Sequence, residues 1–249
     1  MVLVSLLDGR FLAERFGGEP DRVIALHGWG RTRSDWAGAL AGVGGLALDQ
    51  PGFGSAPPPP AAWGSDDYAR WLLPLVESLD RPVLVGHSFG GRVAAQLTAM
   101  RPELVGGLLL TGTPLLRAGT APKAPLAYRA LRTAGKLGIL PAGQVEAARR
   151  KYGSADYRNA EGVLREVLVR TVNEEYSSVL DALARYDGPI ELVWGAGDTA
   201  APLSTAHRIA ERTGGTLTVV DDAAHLLQPS LDAAIDQRLR ALLATGAGA

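Results

Sequence analysis

The chain has 249 residues, 47% hydrophobic and 20% charged, which is enough apolar content for one large core-forming domain or a domain carrying an inserted subdomain and excludes an intrinsically disordered chain. A net charge of -1 leaves no basic footprint for nucleic acid and no polybasic membrane signal. With no cysteine, disulfides, thiolate metal sites and a cysteine nucleophile are excluded.

The first residues, MVLVSLLDGR, lack a basic segment and break at Asp8, and no apolar run approaches the length of a membrane span. A soluble, cytoplasmic protein is the expectation. Val2 to Leu7 and Arg10 to Phe16 read as a hairpin with Asp8-Gly9 at its tip. Val23 to Leu26 is a short strand ending in HGWG, and Ser34 is placed to cap the helix that follows. Leu46 to Leu48 is a strand ending in DQPGFG, followed by a proline-rich loop. Asp66 to Leu79 has apolar positions at helical spacing, with Ser65 or Asp66 as N-cap and a kink expected at Pro74.

Val83 to Val85 is an apolar strand that breaks at Gly86-His87-Ser88-Phe89-Gly90-Gly91, and a helix begins at once through Arg92 to Met100. Leu108 to Leu110 is the next strand. Continuously apolar strands alternating with helices specify an α/β fold with a mostly parallel sheet covered on both faces. The alternation stops between Leu115 and Asp187, where segments such as VEAARRKYG and the run from Ala160 to Tyr186 are helical in pattern, with Val163, Leu164, Val167 and Leu168 on one face. It resumes with strands at Ile190 to Trp194 and Leu217 to Val220 and helices at Ser204 to Arg212 and Leu231 to Leu243. Residues 1–114 and 188–249 therefore form the core and 115–187 a helical insertion. The tail ATGAGA is expected to be disordered.

A serine between glycines at a strand-to-helix junction is either an N-cap or a nucleophile raised on a tight turn. Gly86 and Gly90 are required by the tightness of such a turn, Gly91 lets the helix approach the sheet, and the Phe89 amide at the helix N-terminus points toward a developing anion. A nucleophilic serine needs a base, and the base an orienting acid. His87 is a poor base because neighbouring side chains diverge at such a turn, His27 serves as a loop former, and His207 lies within a helix. His225 follows the last strand. Asp198 follows the strand from Ile190 through a glycine-rich turn, 110 residues after Ser88 and 27 before His225. Asp49 is explained by a turn-stabilising role. Ser88, Asp198 and His225 thus all fall at the carboxyl ends of strands, the edge where open α/β sheets bind ligands.

In these motifs the chain resembles the α/β-hydrolase superfamily over nearly its whole length. HGWG (His27 to Gly30) resembles the oxyanion loop, DQPGFGSA the next glycine turn, GHSFGG the nucleophile elbow, GAGDTAAP the acid loop and DAAHLLQP the histidine loop. The resemblance implies a helical cap formed by the insertion and an oxyanion hole made by the backbone amides of Trp29 and Phe89. It implies a serine hydrolase acting on an ester or related acyl bond of a small, largely apolar substrate, with no cofactor and no metal. Trp29, Phe89, Leu115, Tyr128 and Leu226 are the expected substrate contacts, and Leu116, Leu126, Leu131, Tyr152 and Tyr157 are further candidates. No nucleic-acid or membrane partner is expected, and a homodimer is left open. A lactonase, a thioesterase, a C–C bond hydrolase and a non-catalytic ligand receptor on the same scaffold are the alternatives. Leu226, where C–C bond hydrolases usually carry tryptophan, lowers that reading, and Ser88 argues against a dehalogenase or an epoxide hydrolase.

Overall fold

The structure, a computed structural model, describes residues 2–17, 21–117 and 155–245. Its centre is an eight-stranded sheet. The strands are β1 (Val2–Leu6), β2 (Phe11–Phe16), β3 (Val23–Leu26), β4 (Gly45–Leu48), β5 (Val83–His87), β6 (Gly107–Thr111), β7 (Ile190–Gly195) and β8 (Thr216–Val220). Their order is β1-β2-β4-β3-β5-β6-β7-β8. The first two strands form an antiparallel hairpin, and β2 pairs antiparallel with β4; every later pair is parallel. Asp8 and Gly9, both at positive φ, close the hairpin, with the Arg10 amide donating to the Leu7 carbonyl, as two-residue hairpin turns require.

The continuously apolar strands lie in the middle because both of their faces are covered. On one face Ile24, Leu26, Leu84, Leu108, Leu110, Leu192 and Trp194 belong to a single buried cluster. Covering that face are α2 (Ser65–Glu77), α3 (Phe89–Met100) and α7 (Leu203–Thr213). On the other face Val23, Ala25, Val85, Leu109 and Val193 pack under α1 (Ala37–Leu40) and α8 (Pro229–Thr245). The strand-by-strand alternation between the two clusters is the two-residue period of the pleat. Glu191, the one acidic residue within the parallel strands, points to the α8 side and is held there by Arg238.

Between β6 and β7 the described residues form α4 (Ala155–Asn159), α5 (Gly162–Thr171) and α6 (Ser177–Leu183). Val167 and Leu168 are buried, and Val163 and Leu164 pack beside the main cluster. The helical run expected from Ala160 to Tyr186 is broken at 172–176, and that break carries the contact that fastens it to α2. The Glu174 carboxylate accepts the Ser65 amide at 2.9 Å and the Ser65 hydroxyl at 2.7 Å, and the Tyr176 hydroxyl also donates to it. The segment VEAARRKYG lies outside the described residues.

Three local expectations are corrected. The short helix after β3 begins as a 3-10 turn (Arg33–Trp36) with Thr32 at its N-cap, so Ser34 lies inside it, hydroxyl to hydroxyl with Thr32. The N-cap of α2 is Gly64, not Ser65 or Asp66. Its amide donates to Asp67, and the Ser65 amide is satisfied by Glu174 from another part of the chain. Helix α2 continues through Pro74 to Glu77. At the C-terminus α8 runs to Thr245, so the tail expected to be disordered begins as helix, and residues 246–249 lie outside the described ones.

Where α8 crosses α1 the helices approach closely: a Cβ on Gly38 would fall 2.2 Å from Asp232 Oδ2. Burial, with Asp35 nearby, raises the Asp232 carboxyl from its ordinary 3.8 to about 6, and Asp232 Oδ1 has no partner among the described residues. A carboxyl held above its unfolded value opposes folding once ionised, so this group lowers stability as pH rises from about 4 through 6. Asp232→Asn is therefore expected to raise the melting temperature by a few degrees at about pH 8, with the gain vanishing toward about pH 3.5. Loss of the Glu174 carboxylate leaves the Ser65 amide and hydroxyl without their acceptor. Glu174→Ala is expected to lower stability by about 1–3 kcal/mol in denaturant unfolding, and by little more when combined with Ser65→Ala.

Candidate active site

The strand order places β3 between β4 and β5, so successive strands run out in opposite directions from that point. A crevice opens above the carboxyl ends at such a reversal. The loops after β3, β5, β6, β7 and β8 all lie on this edge.

Ser88 stands between β5 and α3 with φ 51 and ψ −108, a backbone conformation that few non-glycine residues adopt. It persists because the surroundings leave no other path. A Cβ on Gly86 would fall 2.4 Å from the Gly91 Cα, one on Gly90 would fall 2.2 Å from the Leu26 carbonyl oxygen, and one on Gly91 would strike Thr113. Strand β5 and helix α3 therefore touch backbone to backbone. The three glycines serve close approach to three different neighbours; the positive φ of the turn is borne by Ser88 itself. The Ser88 amide donates to the Thr111 carbonyl at 2.9 Å and the Gly90 amide to the His27 carbonyl at 3.1 Å, pinning the turn to β6 and β3.

Asp198 follows β7 in a turn closed onto the β8 loop by Ala196 to the Val220 carbonyl and Gly197 to the Ala223 carbonyl, both 2.9 Å. Its carboxyl side chain is 1% exposed. Oδ1 accepts the amides of Ala200 at 2.9 Å and Ala201 at 2.7 Å, leaving Oδ2 for His225 Nδ1 at 2.8 Å. A carboxylate only accepts, so Nδ1 carries the proton and the Nε2 lone pair faces outward. It meets the Ser88 hydroxyl at 3.2 Å. The His225 side chain is 23% exposed.

The loop after β3 borders the same space. His27 is buried, and burial lowers its pKa, keeping the ring neutral. Its Nδ1–H donates to the Gly28 carbonyl at 2.8 Å, Nε2 accepts the Gln50 amide at 3.1 Å, and the Gln50 side-chain amide donates to the His27 carbonyl at 2.7 Å. Asp49 is fully buried, accepts the amides of Arg33 and Ser55 at 2.9 Å each, and pairs with the Arg33 guanidinium. Its expected turn-stabilising role is met with an ion pair added. The amides of Trp29 and Phe89 have no acceptor among the described residues. The Phe89 ring is buried in an aromatic cluster with Trp29, Phe53 and Tyr68, at centroid distances of 5.5, 6.2 and 5.0 Å.

The expected substrate contacts fare unevenly. Leu226 is 51% exposed beside His225, Trp29 is half-buried, and Leu115 is only 3% exposed within the main cluster. Packing therefore accounts for the side chains of Leu115 and Phe89. Leu116 is half-buried and joins Leu115 along a separate cavity of about 530 Å³ at the seam with α7. Tyr128, Leu126, Leu131 and Tyr152 lie outside the described residues, and Tyr157 stacks under Arg165. Among the described residues no three His, Asp or Glu side chains cluster as metal ligands would, and no helix is long and apolar enough to cross a membrane.

Two residues make contacts at the site that local sequence pattern does not reveal. Gly112, at φ 55 beyond β6, lies where a Cβ would come 3.0 Å from His225 Nδ1 and 3.3 Å from Asp198 Oδ2; the only local signal is a glycine between two threonines at a strand end. His87 does not merely diverge from Ser88. Its ring lies 4.9 Å from that of His225, with Nε2 2.8 Å from the His225 carbonyl.

The chain is similar to known proteins in part of its sequence and in its fold. The esterase Rv0045c of Mycobacterium tuberculosis is 38% identical over 112 residues, 41% of this chain and 36% of that protein. The pimeloyl-[acyl-carrier protein] methyl ester esterase of Aeromonas salmonicida is 38% identical over 122 residues, 44% of this chain and 46% of that protein. These matches span less than half the length of either relative. A thermophilic esterase of known structure superposes with a TM-score of 0.69 at 22% identity, over 98% of this chain and 97% of that one. The family model described as the alpha/beta hydrolase family matches residues 23–237. Sheet order, strand-end loops and that match together make this chain a member of the alpha/beta hydrolase family.

Proposed function

We propose that the protein is a serine hydrolase that cleaves a carboxylic ester, or a related acyl bond, of a small and largely apolar substrate. The observation that carries the reading is the hydrogen-bonded line from Asp198 Oδ2 through His225 to Ser88 Oγ, at 2.8 and 3.2 Å, on the ligand-binding edge of the sheet. A binding protein would have no use for a fully satisfied carboxylate behind a histidine that faces a strained serine. The two relatives named as esterases support the same reaction class.

In this reaction the Ser88 oxygen attacks the substrate carbonyl carbon while its proton passes to His225 Nε2. Asp198 keeps Nδ1 protonated and stabilises the imidazolium. The carbonyl oxygen becomes an anion and is met by the amides of Trp29 and Phe89, each donor contributing about 2.7–4 kcal/mol. The bond to the leaving alkoxide breaks as His225 returns the proton to it. Water then attacks the acyl-serine, giving its proton to His225, and the acid departs as Ser88 is reprotonated. The role of Gly112 is to leave room for the Asp198–His225 contact. The exposed Leu226 and the edge of Trp29 present apolar surface to the acyl group.

Hydrolysis of p-nitrophenyl esters of graded chain length tests the reading. Ser88→Ala is expected to lower kcat by on the order of 10⁴-fold or more with an unchanged melting temperature, and activity surviving in it would overturn the mechanism. Asp198→Asn is expected to lower kcat by on the order of 10³–10⁴-fold, because an amide can hold the opposite histidine tautomer. A fluorophosphonate should label Ser88 in the wild type and fail to label it in His225→Ala.

A further inference from the structure

His225 projects from a loop, and Asp198 restrains its ring at one nitrogen only. A second restraint comes from the residue immediately before the serine. His87 is 1% exposed, and its Nε2 lies 2.8 Å from the His225 carbonyl oxygen. A carbonyl can only accept, so His87 Nε2 carries the proton and Nδ1 is bare. That Nδ1 has no partner among the described residues and lies against Gly28, where a Cβ would come within 2.7 Å of it. The ring is thus wedged between the loop after β3 and the loop that carries His225. Adjacent residues hold one histidine at both ends: Ser88 meets its Nε2 and His87 its backbone carbonyl.

We propose that His87 is a positioning residue for His225, its Nε2–H fixing the backbone from which the general base reaches Ser88. This rests on the serine-hydrolase reading above. Packing alone does not account for an imidazole here, since an apolar ring of similar size would fill the space without burying a bare nitrogen. Neutrality matters as well, because a charged neighbour 4.9 Å away would oppose the imidazolium that His225 forms. Burial, reinforced by His225 itself, pushes the His87 pKa down to about 4, so the ring is neutral at working pH.

The test compares His87→Phe, which keeps a ring and loses the donor, with His87→Gln, whose side-chain amide can reach the same carbonyl. Expected for His87→Phe is a kcat lower by on the order of 10- to 100-fold at unchanged KM for a short-chain p-nitrophenyl ester, with His87→Gln recovering most of the loss. A readout independent of turnover is the downfield proton resonance of His225 Nδ1, bonded to Asp198. It should broaden or shift in His87→Phe and return in His87→Gln. Wild-type kcat and an unmoved resonance in His87→Phe, or equal losses in both variants, would overturn the proposal. Should His87→Phe fail to fold, His87→Met replaces it against the same His87→Gln reference. A wild type inert to esters and fluorophosphonate would count against the serine-hydrolase reading, whereas the resonance comparison would still decide what His87 does.

Discussion

The close approach of β5, α3 and β3 around Ser88 sets the geometry of everything above the sheet. Gly86 lies against Gly91, and Gly90 lies against the carbonyl of Leu26, with no room for a methyl group at either place. The chain must turn from strand to helix within one residue, and Ser88 takes the left-handed backbone conformation as the result. A residue in such a conformation is destabilising by itself, on the order of 1–3 kcal/mol. It is held by its own amide, bonded to the Thr111 carbonyl of β6, and by the Gly90 amide, bonded to the His27 carbonyl just after β3. The same compression presents the hydroxyl above the sheet and leaves the Phe89 amide at the start of α3 free to donate.

Around that fixed point the other groups arrive from strand ends that the parallel sheet aligns. Asp198 is made rigid by two amides of its own turn before it touches His225, so its second oxygen has a single direction in which to accept. His225 is met by Asp198 from the loop after β7 and by His87 and Ser88 at the end of β5. The loop after β3 is stiffened from below by the neutral, buried His27 and by Asp49, whose carboxylate gathers the amides of Arg33 and Ser55. Preorganisation of this kind is what electrostatic catalysis needs, since dipoles that are already aligned cost no reorganisation when charge develops.

The helical segments between β6 and β7 are joined to the core by a polar lock as well as by apolar packing. Glu174 serves as the capping acceptor for α2, a helix from which it is separated by about a hundred residues. A carboxylate at a helix N-terminus is stabilised by the exposed amides and by the helix dipole. The break in the helical run at 172–176 is therefore an economical arrangement: it ends α5 and delivers Glu174 and Tyr176 to the same serine.

The sequence by itself determined the parallel sheet, the glycine-flanked serine at its centre and the placement of Asp198 and His225 after the right strands. These features are written in local pattern: runs of apolar residues, breaks of glycine and proline, and the order of motifs. Local pattern misplaced the N-caps, because Ser65 is engaged by Glu174 and Tyr176 rather than by its own helix. It also left His87 idle and Gly112 unremarked. Only the tertiary structure decided those roles, since the His87 to His225 contact joins residues 138 apart and the Gly112 constraint exists only once β6, β7 and β8 lie side by side. Periodicity reports which face of an element is buried; it carries no record of which distant backbone will come to rest against it.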